Sequence, residues 1–369
     1  MQNRSEALDL VRGLAALFVM MGHLRSLFFL PFTQLSDQGL INRVFWFLTG
    51  FGHECVMVFF VLSGYFVGAA YHKHFRVHAV GAHFKNYMVN RGVRLWVVLV
   101  PALLLTAMFD FWGLSVTQAP AIYTSTDYFQ FIHPSNDRSL LTFAGNIFFL
   151  QTIAVPTFGS NTPLWSLANE FWYYVMFPAL YLLFVRNFPL VTKLVLSLTL
   201  FAALYLLGSI NLKFIEGFAI WLIGFLAYRI QYKPGLVVSV LAIGLFIAVF
   251  CAARINLMGI FTDAALGVTT GLLIVSVQNR RLGYFGEAAV FLSKISYTLY
   301  LVHLPLLIFL AGTIMFGVKL DGGLFNILIF VLLSTCVVAY SYVVYFLFER
   351  RTDGLRESLK KSIGISAPS

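Results

Sequence analysis

Of the 369 residues, 60% are apolar, 17% are aromatic and only 11% are charged, against about 25% charged in an ordinary soluble domain. That deficit excludes a typical soluble enzyme and points to an integral membrane protein, because hydrocarbon tolerates charge poorly. The net charge of +10 does not indicate nucleic-acid binding, since most Lys and Arg fall in short gaps between apolar runs, where they set orientation.

The first run, "LDLVRGLAALFVMMGHLRSL" (8–27), has no small-residue cleavage site behind a short apolar region. It reads as a retained first span, not a removed signal peptide. A helix needs about 20 apolar residues to cross a bilayer. Runs of that kind cover roughly 8–30, 44–70, 92–113, 165–185, 191–210, 214–231, 235–252, 263–278, 294–317 and 323–348. A further run, Phe143–Val155, is too short to cross and carries Asn146 and Gln151, which predicts a re-entrant or interfacial segment. The expected fold is therefore all-α: a polytopic membrane helical bundle of about ten transmembrane helices plus that short segment. The membrane domain would cover 1–352, followed by a cytoplasmic C-terminal tail over 353–369.

Charge predicts sidedness. Arg350, Arg351, Arg356, Lys360 and Lys361 place the tail in the cytoplasm. Counting back puts Arg280/Arg281, Arg229/Lys233, Arg186/Lys193, Lys73/Arg76/Lys85 and the N-terminus with Arg4 inside as well. A crossing at 143–155 would send Lys73, Arg76 and Lys85 outward, so both termini are expected inside. The outside segment 113–164 carries Asp127, His133, Asn136 and Asp137, and could cover a site or touch an external substrate. Cys55, Cys251 and Cys336 lie in apolar runs with no metal or disulfide spacing, and read as three small buried side chains. With no phosphate loop, nucleotide fingerprint or separate soluble domain, any chemistry must sit among the spans.

Five stretches carry polar residues where lipid disfavours them. In the first span Arg12 and His23 are eleven positions apart, which leaves them about 20° apart on one helix face and roughly 16 Å apart along the axis. Asp9 shares the face and could pair with Arg12. The competing reading is a snorkelling arginine and a hydrogen-bonded core histidine. "YMVNRGVRLW" puts Arg91 and Arg94 on one face, able to grip a phosphate or to act only as a positive-inside flank. "PLWSLANEFWYYVMFP" stacks Ser166, Glu170 and Tyr174 on one face, and a carboxylate among Trp165, Phe171 and Trp172 is costly without a partner. "ISYTLYLVHLPLL" carries Tyr297, Tyr300 and His303 at three-residue intervals, as structural side chains or as site residues. In "GHECVMVFFVLSGYFVG", Ser63 and Gly64 read as close packing, and the roles of His53 and Glu54 stay open.

Taken in order, these stretches resemble the acyltransferase 3 family of integral membrane acyltransferases. The arginine–ten residues–histidine pattern falls on Arg12 and His23. "VFFVLSGY" at 58–65, the Arg91–Arg94 pair, "WSL" with Glu170, and "YTLYLVH" ending at His303 follow in the family's order. The resemblance covers about 5–352 and implies the stand-alone form, without a fused hydrolase-like domain. It implies transfer of an acyl group, with acetyl from acetyl-coenzyme A the expected case, from the cytoplasm to a hydroxyl of a cell-surface carbohydrate or glycolipid. Arg12, Arg91 and Arg94 would hold the donor's phosphates and His23 would take part in transfer, in a bacterial inner membrane. Met57 replaces an acid frequent before the double phenylalanine, and Phe171 and Trp172 replace an acid and a glutamine frequent after Glu170. Both departures concern the acceptor end.

The physical reading runs parallel. Three arginines suit the anionic end of coenzyme A, and the Arg12–His23 separation matches an extended pantetheine arm. His23 could then act as base or as acylated nucleophile, with Glu170 orienting it or serving as a second base. Ser166, Tyr174, Tyr300 and His303 complete the expected substrate-binding set. No metal and no permanently bound cofactor is expected; the partners are the lipid bilayer, acyl-CoA and the acceptor, with oligomeric state left open. The alternative is a proton-coupled secondary transporter of an anionic or sugar substrate. Inverted halves would mark it, and 1–185 and 186–369 show no convincing relation.

Overall fold

The computed structural model describes residues 5–75, 79–117, 120–124, 137–186, 188–230 and 232–365; Arg4, Arg76, Asp127, His133 and Asn136 lie outside them. The described chain is helical with no strand. In order the helices are α1 (Glu6–Phe28), α2 (Leu40–Leu48), α3 (Gly52–His74), α4 (Val80–Val116), α5 (Ala121–Thr124), α6 (Leu140–Ile147) and α7 (Leu164–Leu183). They continue with α8 (Leu190–Ile210), α9 (Leu212–Arg229), α10 (Leu236–Arg254), α11 (Thr262–Val277), α12 (Gly286–Thr313), α13 (Leu324–Leu347) and α14 (Thr352–Ser362).

Among the described residues, 8 helical segments are long and apolar enough to cross a membrane, together covering α1, α2–α3, α4, α8, α10, α11, α12 and α13. The other two expected spans, α7 and α9, are helices in the same bundle. They are less apolar because α7 carries Ser166, Asn169 and Glu170, and α9 carries Lys213, Glu216 and Arg229.

Burial separates two kinds of helix. The hydropathic stretches of α8 and α10 are only 6% and 11% buried, and their exposed Leu, Val and Ile form an apolar belt suited to lipid. α1, α3, α4, α7, α9 and α12 pack inward, with α1 against α12 and α3 against α9 as the closest pairs. At the second of these, a Cβ on Gly64 would collide with the Trp221 carbonyl, and one on Gly224 with the Val61 carbonyl. Two small residues thus let the backbones of α3 and α9 touch.

Three expectations are corrected. The run 44–70 is two helices, because the chain turns at Thr49–Phe51 between α2 and α3. The long 71–90 gap is short: α4 begins at Val80, since 80–91 continues the span as a helix into the polar layer. The cysteines are not all buried; Cys55 is, Cys251 is intermediate and Cys336 is exposed on α13, whose small apolar side chain costs little against lipid. The short segment 143–155, expected to be re-entrant or interfacial, is α6 followed by a tight turn with Phe149 and Thr152 at φ 58° and 66°, and holds no helix long enough to cross. Its flagged polar residues satisfy that non-helical backbone. Asn146 Nδ2 donates to the Thr142 and Pro156 carbonyls (2.8 and 2.9 Å), and Gln151 Nε2 to the Leu164 carbonyl (2.9 Å). Irregular backbone near membrane depth is tolerated only when paired within protein in this way.

Candidate functional site

α1 carries Arg12 and His23 on one continuous helix, and the bundle separates their surroundings. Arg12 lines a cavity of about 330 Å³ together with Arg91, Arg94, Ser166, Glu170, Tyr174 and Tyr300. Seven of the nine sequence-predicted site residues therefore converge from α1, α4, α7 and α12. His23 faces a second cavity of about 770 Å³. Tyr300 and Val56 line both, so the two spaces meet at that wall.

The first cavity is strongly cationic at one end. Arg12 stacks over Phe66 (4.7 Å to the ring centroid) and Arg94 over Tyr297 (5.8 Å). Arg12 is attracted by Asp9 and Glu170 and repelled by Arg94, while Asp9 accepts from Ser293 Oγ (2.6 Å). Arg91 Nε and Asn90 Oδ1 are buried without hydrogen-bond partners. A cluster of guanidinium groups with unused donors, stacked on aromatic faces, is suited to phosphate oxygens.

Glu170 is held by hydroxyls. Ser63 Oγ donates to its Oε1 (2.5 Å), Tyr174 OH donates to the same oxygen, and Trp221 Nε1 donates to Ser63 Oγ (3.1 Å). Gly64 packs as its sequence suggested, but neighbouring Ser63 belongs to this network. Ser166 Oγ and Tyr300 OH are hydrogen-bonded (2.7 Å), and both hydroxyls lie near the Pro163 carbonyl.

The partner of His23 is His303, not Glu170. His23 Nδ1 and His303 Nε2 are 2.7 Å apart with the rings stacked, 5.0 Å between centroids and 10° between planes. His303 Nδ1 lies 2.8 Å from the Leu299 carbonyl. A carbonyl only accepts, so Nδ1 of His303 carries the hydrogen and the Nε2 of the neutral ring accepts. His23 Nδ1–H therefore donates to it, leaving the His23 Nε2 lone pair free. The sequence left His303 ambiguous because a face assignment along one helix says nothing about α1.

Tyr297, left open between a structural and a site role, lines the first cavity, and several further residues were missed. Ser296 lines the first cavity, as does Arg356, which the charge pattern had marked only for sidedness. α14 packs against α4 and brings Arg356 there; its Nε is buried without a partner, while Nη2 pairs with Asp353 (2.9 Å). The stretch 352–362 is amphipathic, a signal that could have placed Arg356 on an inward face. Buried Asp110 was also missed. It accepts from Ser160 Oγ (2.5 Å) and Arg138 Nε (3.0 Å), fastening the segment that enters α7. His53, left open, pairs with Asp263 (2.8 Å) and ties α3 to α11.

A family model described as an acyltransferase domain, acyltransferase 3, matches residues 5–346 of the chain. No curated protein and no solved structure matches.

Proposed function

The chain belongs to the acyltransferase 3 family, and from that premise we propose that it is an integral membrane O-acyltransferase taking an acyl group, acetyl in the simplest case, from acyl-coenzyme A. The acceptor is a hydroxyl of a cell-surface carbohydrate or glycolipid. The observation carrying this reading is the pair of cavities that meet at Tyr300 and Val56, with arginines in one and His23 facing the other.

Arg12, Arg91 and Arg94, with Arg356 closing the same end, hold the donor's phosphates by charge-assisted hydrogen bonds. The pantetheine arm lies along the cavity toward Tyr300, and the roughly 16 Å of helix between Arg12 and His23 sets its reach. The acceptor enters from the second cavity. His23 Nε2 removes the proton of the acceptor hydroxyl, whose oxygen bonds to the acyl carbon as the carbon–sulfur bond breaks. The imidazolium then returns the proton to the departing thiolate. Holding both reactants across one wall supplies proximity. Glu170, fixed by Ser63 and Tyr174, sits on the donor side, where it attracts Arg12. Acylation of His23 is the other route open to the same geometry.

Both termini and the α3–α4 turn are placed on the cytoplasmic side of a bacterial inner membrane, on the positive-inside rule. The test is mass spectrometry of surface glycans from cells with the gene, without it, and with His23→Ala at equal protein level. Loss of an acyl mass in both altered strains is expected; unchanged acylation with well-expressed His23→Ala would sink the mechanism.

A further inference from the structure

The second cavity has a charge pattern that no role assigned above uses. Its walls include the cationic Arg25, Lys213 and Arg254 and the single carboxylate Glu54. Arg25 ends α1 and Arg254 ends α10, where an arginine ordinarily snorkels to the membrane surface. Here both line the same cavity, close enough to repel each other.

Neither guanidinium is fully satisfied, although Glu54 attracts Arg254. Among the described residues no carboxylate lies within 4.0 Å of either, and the Nε of each is buried with no hydrogen-bond partner. Trp46 contacts both: its carbonyl accepts from Arg254 Nη2 (3.3 Å), and its ring lies 6.0 Å from Arg25 Cζ. Lys319, bonded to the Ser26 carbonyl (3.1 Å), adds a further positive charge beside Arg25. The chain makes room for this arrangement, because a Cβ on Gly50 would fall on the Arg254 guanidinium. The break between α2 and α3 is thus where Arg254 reaches into the cavity. Unpaired buried guanidinium groups are costly, and an oxyanion between them would relieve both deficits through forked hydrogen bonds. The hydroxyls of a neutral sugar could accept from them but would leave both positive charges uncompensated.

We propose that the second cavity recognises its acceptor through an anionic group, a carboxylate or phosphate carried by the saccharide and seated between Arg25 and Arg254. This rests on reading the second cavity as the acceptor side of an acyltransferase. It narrows the acceptor class to acidic glycans, such as those built on uronic acids or bearing phosphate.

The test measures binding directly, so it does not depend on transfer. Full-length protein in nanodiscs of zwitterionic lipid is titrated with oligogalacturonate, with the matching neutral galacto-oligosaccharide, and with glycerol phosphate as a headgroup mimic. Acetyl-CoA is titrated in parallel. The acidic oligosaccharide should bind at least about tenfold more tightly than the neutral one. Arg25→Gln and Arg254→Gln should each weaken it roughly ten- to a hundredfold, with acetyl-CoA binding unchanged as the folding control. Equal binding of acidic and neutral sugars, no binding of the acidic one, or wild-type affinity in both variants would overturn the proposal. Binding of glycerol phosphate without the acidic sugar would also overturn it, by making this a lipid headgroup site. Failure of the acyltransferase reading shows separately, as lack of acetyl-CoA binding in the same protein.

Discussion

Replacing His303 by leucine isolates what holds His23, the proposed base. The ring is 0% exposed, lines neither of the two cavities, and is hydrogen-bonded at both nitrogens: Nδ1 to the Leu299 carbonyl at 2.8 Å and Nε2 to His23 Nδ1 at 2.7 Å. Leucine fills much of the volume but leaves His23 Nδ1–H without its acceptor. An unsatisfied buried donor costs about 1–3 kcal/mol. If that falls wholly on the transition state it is worth roughly 5- to 150-fold in rate. Loss of the ordered tautomer can extend this toward the 10²–10⁴-fold typical of a general base. We therefore expect kcat to drop about 10²-fold with the donor KM unchanged. His303→Gln, which can still accept, should recover part of the loss. The assay is transfer from radiolabelled acetyl-CoA in proteoliposomes, with His23→Ala as background. Once His23 is gone, His303→Leu should cost nothing more, since the two act as a unit. Full kcat in a folded His303→Leu variant, or additive losses in the double variant, would refute the orienting role.

Arg91→Ala and Arg94→Ala should each lower apparent donor affinity roughly ten- to a hundredfold, at about 1.5–3 kcal/mol per charged hydrogen bond, with lysine rescuing only in part; donor titration at saturating acceptor decides, and unchanged dependence in both would reduce the pair to a topology signal. Arg12→Ala and Arg356→Ala should behave alike. Cysteine-accessibility labelling should find position 79 reachable only from the cytoplasm and position 140 only from outside, and the reverse pattern would invert the assigned topology. Ser63→Ala removes the acceptor of Trp221 Nε1–H and one donor to Glu170, so detergent-solubilised protein should lose about 1–3 kcal/mol; an unchanged melting temperature would argue against that network. Asp321, in the exposed α12–α13 loop, is held below the ordinary carboxylate value by hydrogen bonds from the Ser36 hydroxyl and the Gly322 and Ser36 amides. Its contribution is therefore present above the ordinary value and lost as pH falls through the depressed one. Hydrogen exchange at Ser36 should rise only in that acid window, and a pH-independent protection factor there would remove Asp321 as the tie.

Hydropathy and charge, read along the chain, were enough for an all-α membrane bundle, for nine candidate residues and for the family resemblance. Lipid penalises polar groups so heavily that each one retained in a span stands out, and the helical period tells which of them share a face. Asn146 and Gln151 were visible as anomalies in a short run for the same reason. What each polar residue faces was not legible, because a face has no identity until another helix packs on it. Only the packing of α1 on α12 joined His23 to His303, and only α3 beside α7 and α9 drew Ser63 into the hold on Glu170. Arg356 read as a sidedness charge until α14 packed against α4, and Arg254, which the sequence did not single out, lines one cavity with Arg25 through the break at Gly50. Local spacing can register period and cost, but cavities are made by residues up to a few hundred positions apart, so the division into an arginine-lined cavity and a second one faced by His23 belongs to the tertiary structure.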